Sequence, residues 1–153
     1  MKHLLIVYHL PRGKMQAMAE AVERGARHED IAGVEVRVAR ALEAGADDLL
    51  WADALLLGTP ENFGYMSGGM KDFLDRTFYP CEGKLEGMPY AMFISAGNDG
   101  SGALNAIRRI ANGFSFREVQ EPVLVVGELD AAHLQACETL GTAMAAGLEL
   151  GMY

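Results

Sequence analysis

Apolar residues fall along this chain in two rhythms, one continuous and one helical. Residues 3–8, His-Leu-Leu-Ile-Val-Tyr, form a short run of the kind expected from a strand covered on both faces. From Lys14 onward Met15, Met18, Ala19, Val22 and Ala26 recur at helical spacing and predict a first helix ending near His28. Residues 34–38 alternate valine with charge, the signature of a half-exposed edge strand. Residues 53–57 and 90–94 are again continuous apolar runs, and between them Met70, Phe73, Leu74, Thr77 and Phe78 keep helical spacing. A helix around Leu104, Ile107 and Ala111 is expected to stop at Asn112 and Gly113. Residues 123–126 make a fifth strand, and Asp130 caps a last helix carrying Leu134, Cys137, Leu140, Met144 and Leu148 on one stripe.

Five short strands alternating with helices predict an α/β fold, a parallel sheet wrapped on both faces by right-handed crossovers. In such sheets ligands bind beyond the carboxyl ends of the strands, at the point where the strand order reverses. Chemistry is therefore sought after strands one, three and four, in residues 9–14, 58–68 and 95–102.

Composition narrows the class further. The length of 153 residues suits one domain spanning 1–153, and an apolar fraction of 50% with 22% charge excludes disordered and fibrous chains. No apolar run approaches the ~18 residues of a membrane span, and the first run is too short for a signal-peptide core, so the cytoplasm is the expected address. Lysine and arginine number 13 against 21 acidic residues, a formal charge of −8 that opposes binding to nucleic acid. Cys81 and Cys137 are too few and too far apart for a disulfide framework or a zinc site, and nothing beside Cys81 in sequence would activate a thiol. The 18 glycines, many of them between apolar runs, look like loop residues whose backbones are needed close to something.

After strand three the chain reads Gly58-Thr59-Pro60-Glu61-Asn62-Phe63-Gly64-Tyr65-Met66-Ser67-Gly68-Gly69-Met70-Lys71-Asp72-Phe73-Leu74-Asp75-Arg76. Gly-Thr-Pro followed by Phe-Gly-x-Met-Ser-Gly-x-Met-Lys-x-Phe-Leu-Asp-Arg resembles the FMN-contacting loop and following helix of flavodoxin-family NAD(P)H-dependent reductases and quinone reductases. The resemblance covers about twenty residues, more than a short chance match supplies. It implies a flavodoxin-like three-layer sandwich with a five-stranded parallel sheet in the order 2-1-3-4-5, and FMN as cofactor. Independently of the family, Gly64 permits close backbone approach while Phe63 and Tyr65 offer flat faces to a planar ring. Pro60, Glu61 and Asn62 share that loop. Ordinary loop anchoring by the aromatics, and ordinary capping by Ser67, would account for the same letters.

The loop Ser95-Ala96-Gly97-Asn98-Asp99-Gly100-Ser101-Gly102 has backbone amides as its main asset. By resemblance it supplies N–H and C=O groups to the pyrimidine end of the flavin; a plain turn with Ser101 as helix cap is the alternative. Residues 9–14 depart from the family pattern. Flavodoxin-like proteins wrap the FMN phosphate with hydroxyls here, whereas this chain has Leu10-Pro11-Arg12-Gly13-Lys14-Met15, with none. Gly13 keeps the turn, and Arg12 with Lys14 offers charge-assisted contacts to a phosphate beside a helix start, or else forms a solvated surface pair. His9, at the end of strand one, touches phosphate or substrate in one reading and is structural in the other. Gly13-Lys14 is no P-loop, since the spacing and the Ser/Thr are missing. The acids at 47, 48, 72 and 75 read as helix-surface charge.

The resemblance implies an FMN-dependent oxidoreductase that takes electrons from NAD(P)H and gives them to a quinone or similar small acceptor, with no catalytic side chain required and a homodimer as the implied assembly. A flavodoxin-type electron carrier, or a flavodoxin-like binding or regulatory domain with weakened FMN binding, are the alternatives.

Overall fold

The computed structural model describes residues 1–10 and 12–153; Pro11, which the sequence places in the phosphate loop, lies outside the described residues. Among the described residues seven strands and five helices follow one another as β1 Lys2–Tyr8, α1 Gly13–Ala26, β2 Val34–Arg40, α2 Ala46–Trp51, β3 Ala54–Asn62, β4 Tyr65–Met66, α3 Gly68–Cys81, β5 Pro89–Ala96, α4 Ser101–Phe114, β6 Arg117–Glu118, β7 Val123–Val126 and α5 Ala131–Glu149. The long strands lie in the order β2-β1-β3-β5-β7, all parallel, which is the expected 2-1-3-4-5 arrangement. The alternating β2 forms one edge. Short β6 precedes β7 along the same side of β5, and β4 folds back on β3 as an antiparallel hairpin.

The continuous apolar runs become central strands because each needs two apolar faces. Leu5, Val7, Leu55, Leu57, Met92 and Ile94 point to one side, against Phe73 and Leu74 of α3 and Ile107 of α4. Leu4, Ile6, Leu56, Ala91 and Phe93 point to the other, against Met15, Met18 and Val22 of α1 and Cys137, Leu140 and Met144 of α5. The result is three layers. Phe73 and Phe93 are fully buried, and each such side chain stabilises the fold by roughly 1.5–3 kcal/mol.

On the α1/α5 layer the two helices touch backbone to backbone. A Cβ at Gly25 of α1 would strike the Glu138 carbonyl, and one at Gly141 of α5 would strike the Val22 carbonyl. The Thr142 hydroxyl donates to the Gly25 carbonyl at 3.0 Å across the same seam.

Several elements differ from the expectation. Helix α4 runs through Asn112 and Gly113 to Phe114, because Phe114 is buried and Ser115, in the left-handed region at φ 64, closes the turn with Phe116 N–H on Ala111 O. Burial outweighed the Asn-Gly stop signal. β3 continues past Leu57 to Asn62, since Thr59 and Pro60 keep parallel register with Ile94 and Ser95. Pro60, Glu61, Asn62, Ser95 and Ala96 are thus strand ends and not loop. α2 arose from too short a segment to show a helical period; its Asp48 accepts the Gly45 N–H at 2.9 Å and pairs with Arg37 at 3.0 Å. Among the described residues no helix is long and apolar enough to cross a membrane.

Candidate functional site

The sheet order reverses between β1 and β3, and the loops at their carboxyl ends are joined from the outset by the His9 N–H donating to Gly58 O at 3.0 Å. His9 turns its Nδ1 to the Ser67 hydroxyl at 2.8 Å. Ser67 caps α3 by accepting Met70 N–H at 3.2 Å, donates its own N–H to the Thr59 hydroxyl oxygen at 3.0 Å, and stands 3.2 Å from it hydroxyl to hydroxyl. Thr59 in turn donates to Pro60 O at 2.8 Å. Both hydroxyl residues are completely buried, and burial followed by the Arg12 charge holds His9 below the ordinary histidine pKa of 6.5. The ring is therefore held toward its neutral form, hydrogen-bonded to the Ser67 hydroxyl through Nδ1. Gly69 is glycine because any side chain there would strike the His9 ring.

Phe63 and Gly64 form the two-residue turn of the β3–β4 hairpin, with Asn62 opposite Tyr65. Both turn residues have positive φ, 53° and 71°, as a type I′ turn requires. Phenylalanine at positive φ is strained by about 1–2 kcal/mol, and here its ring is also wholly exposed. Tyr65, next along, is 42% exposed. The hairpin backbone packs directly on α4, where a Cβ at Gly102 would strike the Gly64 carbonyl.

Glu61 crosses between the two walls. Its carboxylate accepts Gly100 N–H at 3.0 Å and Ala103 N–H at 3.1 Å, so it caps α4 from another strand. Gly97, Asn98 and Asp99 are exposed, Gly100 is the N-cap of α4 at φ 88, and the Ser101 hydroxyl donates to the Asp99 carboxylate. The sequence reading of Ser101 as the cap differs from this geometry: Ser101 is the first helical residue and Glu61 does the capping.

At α1, Arg12 is the N-cap without a side-chain capping bond, Gly13 follows at φ 59, and the first turn holds no acid. The Arg12 guanidinium is exposed and has no ion-pair partner among the described residues, while Lys14 Nζ donates to Gly127 O at 2.8 Å. That bond brings in the loop after β7, which the sequence reading left out; the glycine ending the fifth strand was the available signal. The other four helix starts have a carboxylate or hydroxyl in place: Asp48 at α2, Ser67 at α3, Glu61 at α4 and Asp130, accepting His133 N–H at 2.9 Å, at α5. Among the described residues, α1 alone begins with cations and without a side-chain cap, the arrangement that attracts an anion.

A surface depression of about 740 Å³ lies instead between α1 and α5, lined by Glu20, Glu23, Arg24, Arg27, His28, Glu29 and Glu138. Its arginines are paired with its own acids, Arg27 with Glu23 at 2.8 Å and Arg24 with Glu138 at 3.8 Å, which leaves little to recognise a ligand. Neither cysteine suits nucleophilic work: burial pushes the Cys81 thiol up and the Cys137 thiol up to about 11. Acids 72 and 75 bond Arg76 and Lys71 within α3.

The family model for NADPH-dependent FMN reductase matches residues 33–130. A protein named flavodoxin from Aquifex aeolicus (strain VF5) is 38% identical over 102 residues, covering 67% of this chain and 54% of the relative. An NAD(P)H dehydrogenase (quinone) from Acidithiobacillus ferrooxidans (strain ATCC 53993 / BNL-5-31) is 35% identical over 123 residues, covering 67% of this chain and 60% of the relative. The chain thus spans between 54% and 60% of the length of these curated relatives. Among solved structures, a flavodoxin from the domain Archaea superposes with TM-score 0.81 at 24% identity, over 96% of this chain and 99% of the other, a likeness of fold.

Proposed function

The chain belongs to the NADPH-dependent FMN reductase family, and from that membership we propose that it binds FMN along the carboxyl edge of its sheet and passes electrons from NAD(P)H to a quinone or similar small acceptor. The observation that carries this reading is the unfilled, cation-flanked start of α1 beside two loops with exposed aromatics and exposed glycines. The residues present fit the group. Gly13, Gly64 and Gly97 each face open space where a side chain would stand, which leaves backbone accessible for close approach.

Arg12, Gly13 and Lys14 would hold the phosphate through charge-assisted hydrogen bonds and free amides, Lys14 doing so in exchange for its present bond to Gly127 O. Phe63 and Tyr65 would stack on the ring, and Gly97, Asn98, Asp99 and Ser101 would supply N–H and C=O groups to its polar edge, with Gly100, its own N–H held by Glu61, shaping the turn. Pro60, Asn62, Ser95 and Ala96 shape the strand ends on which those groups sit, and neutral His9 keeps the α3 start in place through Ser67. FMN supplies the hydride and electron transfer itself. No side-chain nucleophile is needed.

The test is direct. Protein purified from cells should be yellow, or should become so on adding FMN, and should oxidise NADPH or NADH when a simple quinone is present. Protein that neither carries nor binds FMN overturns the reading. Flavin that exchanges electrons only with a protein would favour an electron carrier instead, a reading to which the 38% identity with a protein named flavodoxin lends support.

A further inference from the structure

Helix α4 is 14 residues long and provides no cap of its own: its N-cap is Gly100, and its first turn carries no acid. The missing charge is imported from 39 and 42 positions earlier, where Glu61 takes both the Gly100 and the Ala103 N–H. Asp99 sets a second carboxylate at the same place, bonded by the Ser101 hydroxyl. At α1 the signs are reversed, with Arg12 and Lys14 and no acid in the first turn. The edge of the sheet is therefore electrically polar, cationic where α1 starts and acidic where α4 starts.

We propose that Glu61 is a specificity-determining positioning residue: its carboxylate closes the α4 start to anions, so that this end of the groove takes uncharged or cationic electron acceptors and rejects anionic ones. An acceptor bearing a sulfonate or carboxylate meets two like charges there and finds the strongest amide donors already taken. The acceptor half of this statement rests on the oxidoreductase reading; the closure of α4 to anions does not.

The experiment uses the full chain as wild type, Glu61→Gln and Glu61→Ala. The glutamine variant preserves size and one acceptor oxygen while removing charge, so it keeps the wall packed if alanine does not fold. Amide resonances of Gly100 and Ala103 are followed by NMR during titration with sodium sulfate at constant ionic strength. In wild type they should stay still, and in the variants they should move saturably. Initial rates are then compared for 1,4-naphthoquinone and its 2-sulfonate. The kcat/KM ratio of the sulfonate to the parent quinone should rise roughly tenfold in Glu61→Ala, about what one charge-assisted contact supplies, and less in Glu61→Gln. Amides that ignore sulfate in both variants overturn the closure. A ratio unchanged in variants whose amides do bind sulfate overturns the role in acceptor choice. If wild type turns over neither quinone, the oxidoreductase reading fails by itself, and the sulfate titration still decides whether Glu61 shuts α4.

Discussion

Nδ1 of His9 stands 2.8 Å from the hydroxyl oxygen of Ser67, although 58 residues separate them in the chain. The contact ties the end of β1 to the start of α3 and places a titratable ring on a buried pair of hydroxyls. Ser67→Ala removes the α3 cap and leaves His9 Nδ1 without its partner, while Thr59 keeps Pro60 O and the backbone N–H of residue 67. It should lower stability by about 1–2 kcal/mol, toward the upper end for a lost cap. Urea denaturation would read this as a lower midpoint at unchanged slope; a loss below about 0.5 kcal/mol would contradict the role given to the hydroxyl.

Because His9 is held below its ordinary value of 6.5, the unfolded chain binds its proton more readily than the fold does. Stability from this group is fully present above pH 6.5 and is lost as pH falls through the lowered folded value. Melting temperature should therefore drop on acidification below that point, and His9→Gln should flatten this limb. NMR titration of the His9 ring should give a midpoint below 6.5, and a midpoint above it would refute the assignment.

Arg12→Ala should weaken FMN binding by about 1–3 kcal/mol, the worth of charged hydrogen bonds. Lys14→Ala should cost less, because its ammonium must first leave Gly127 O. Quenching of flavin fluorescence during titration measures both. Equal and negligible effects would remove the phosphate from this helix start.

Phe63 holds a positive φ with its ring in solvent, so Phe63→Asn should relieve backbone strain and stabilise the free protein by up to about 1 kcal/mol. The same change should weaken FMN binding by about 0.5–1.5 kcal/mol through lost stacking. Thermal denaturation of the free protein and a flavin titration must move in opposite directions. A variant that loses stability without losing affinity would mean that Phe63 serves the fold alone.

The central strands were legible because β1, β3 and β5 need two apolar faces, and no other element of that length writes such a run. The edge position of β2 was legible from its alternation of valine with charge. α2 was hidden because six residues span less than two turns. The Asn112-Gly113 signal misled because Phe114, one residue on, gains more by burial than the chain gains by stopping. At the candidate site, the types of residue in each loop were readable, but the bonds between loops were not. Glu61 to Ala103, His9 to Ser67 and Lys14 to Gly127 each join residues brought near only by the strand order, and no local spacing encodes that meeting.

The glycine seam between α1 and α5 reaches further than its own layer. With the backbones of the two helices in contact at Gly25 and Gly141, α1 is a stiff lever pinned near its far end, and the aim of Arg12 and Gly13 is set by a fulcrum at the other end of the helix. Adding a single methyl group at Gly141 would swing that lever and misdirect the proposed phosphate-binding tip without substituting any residue of the groove.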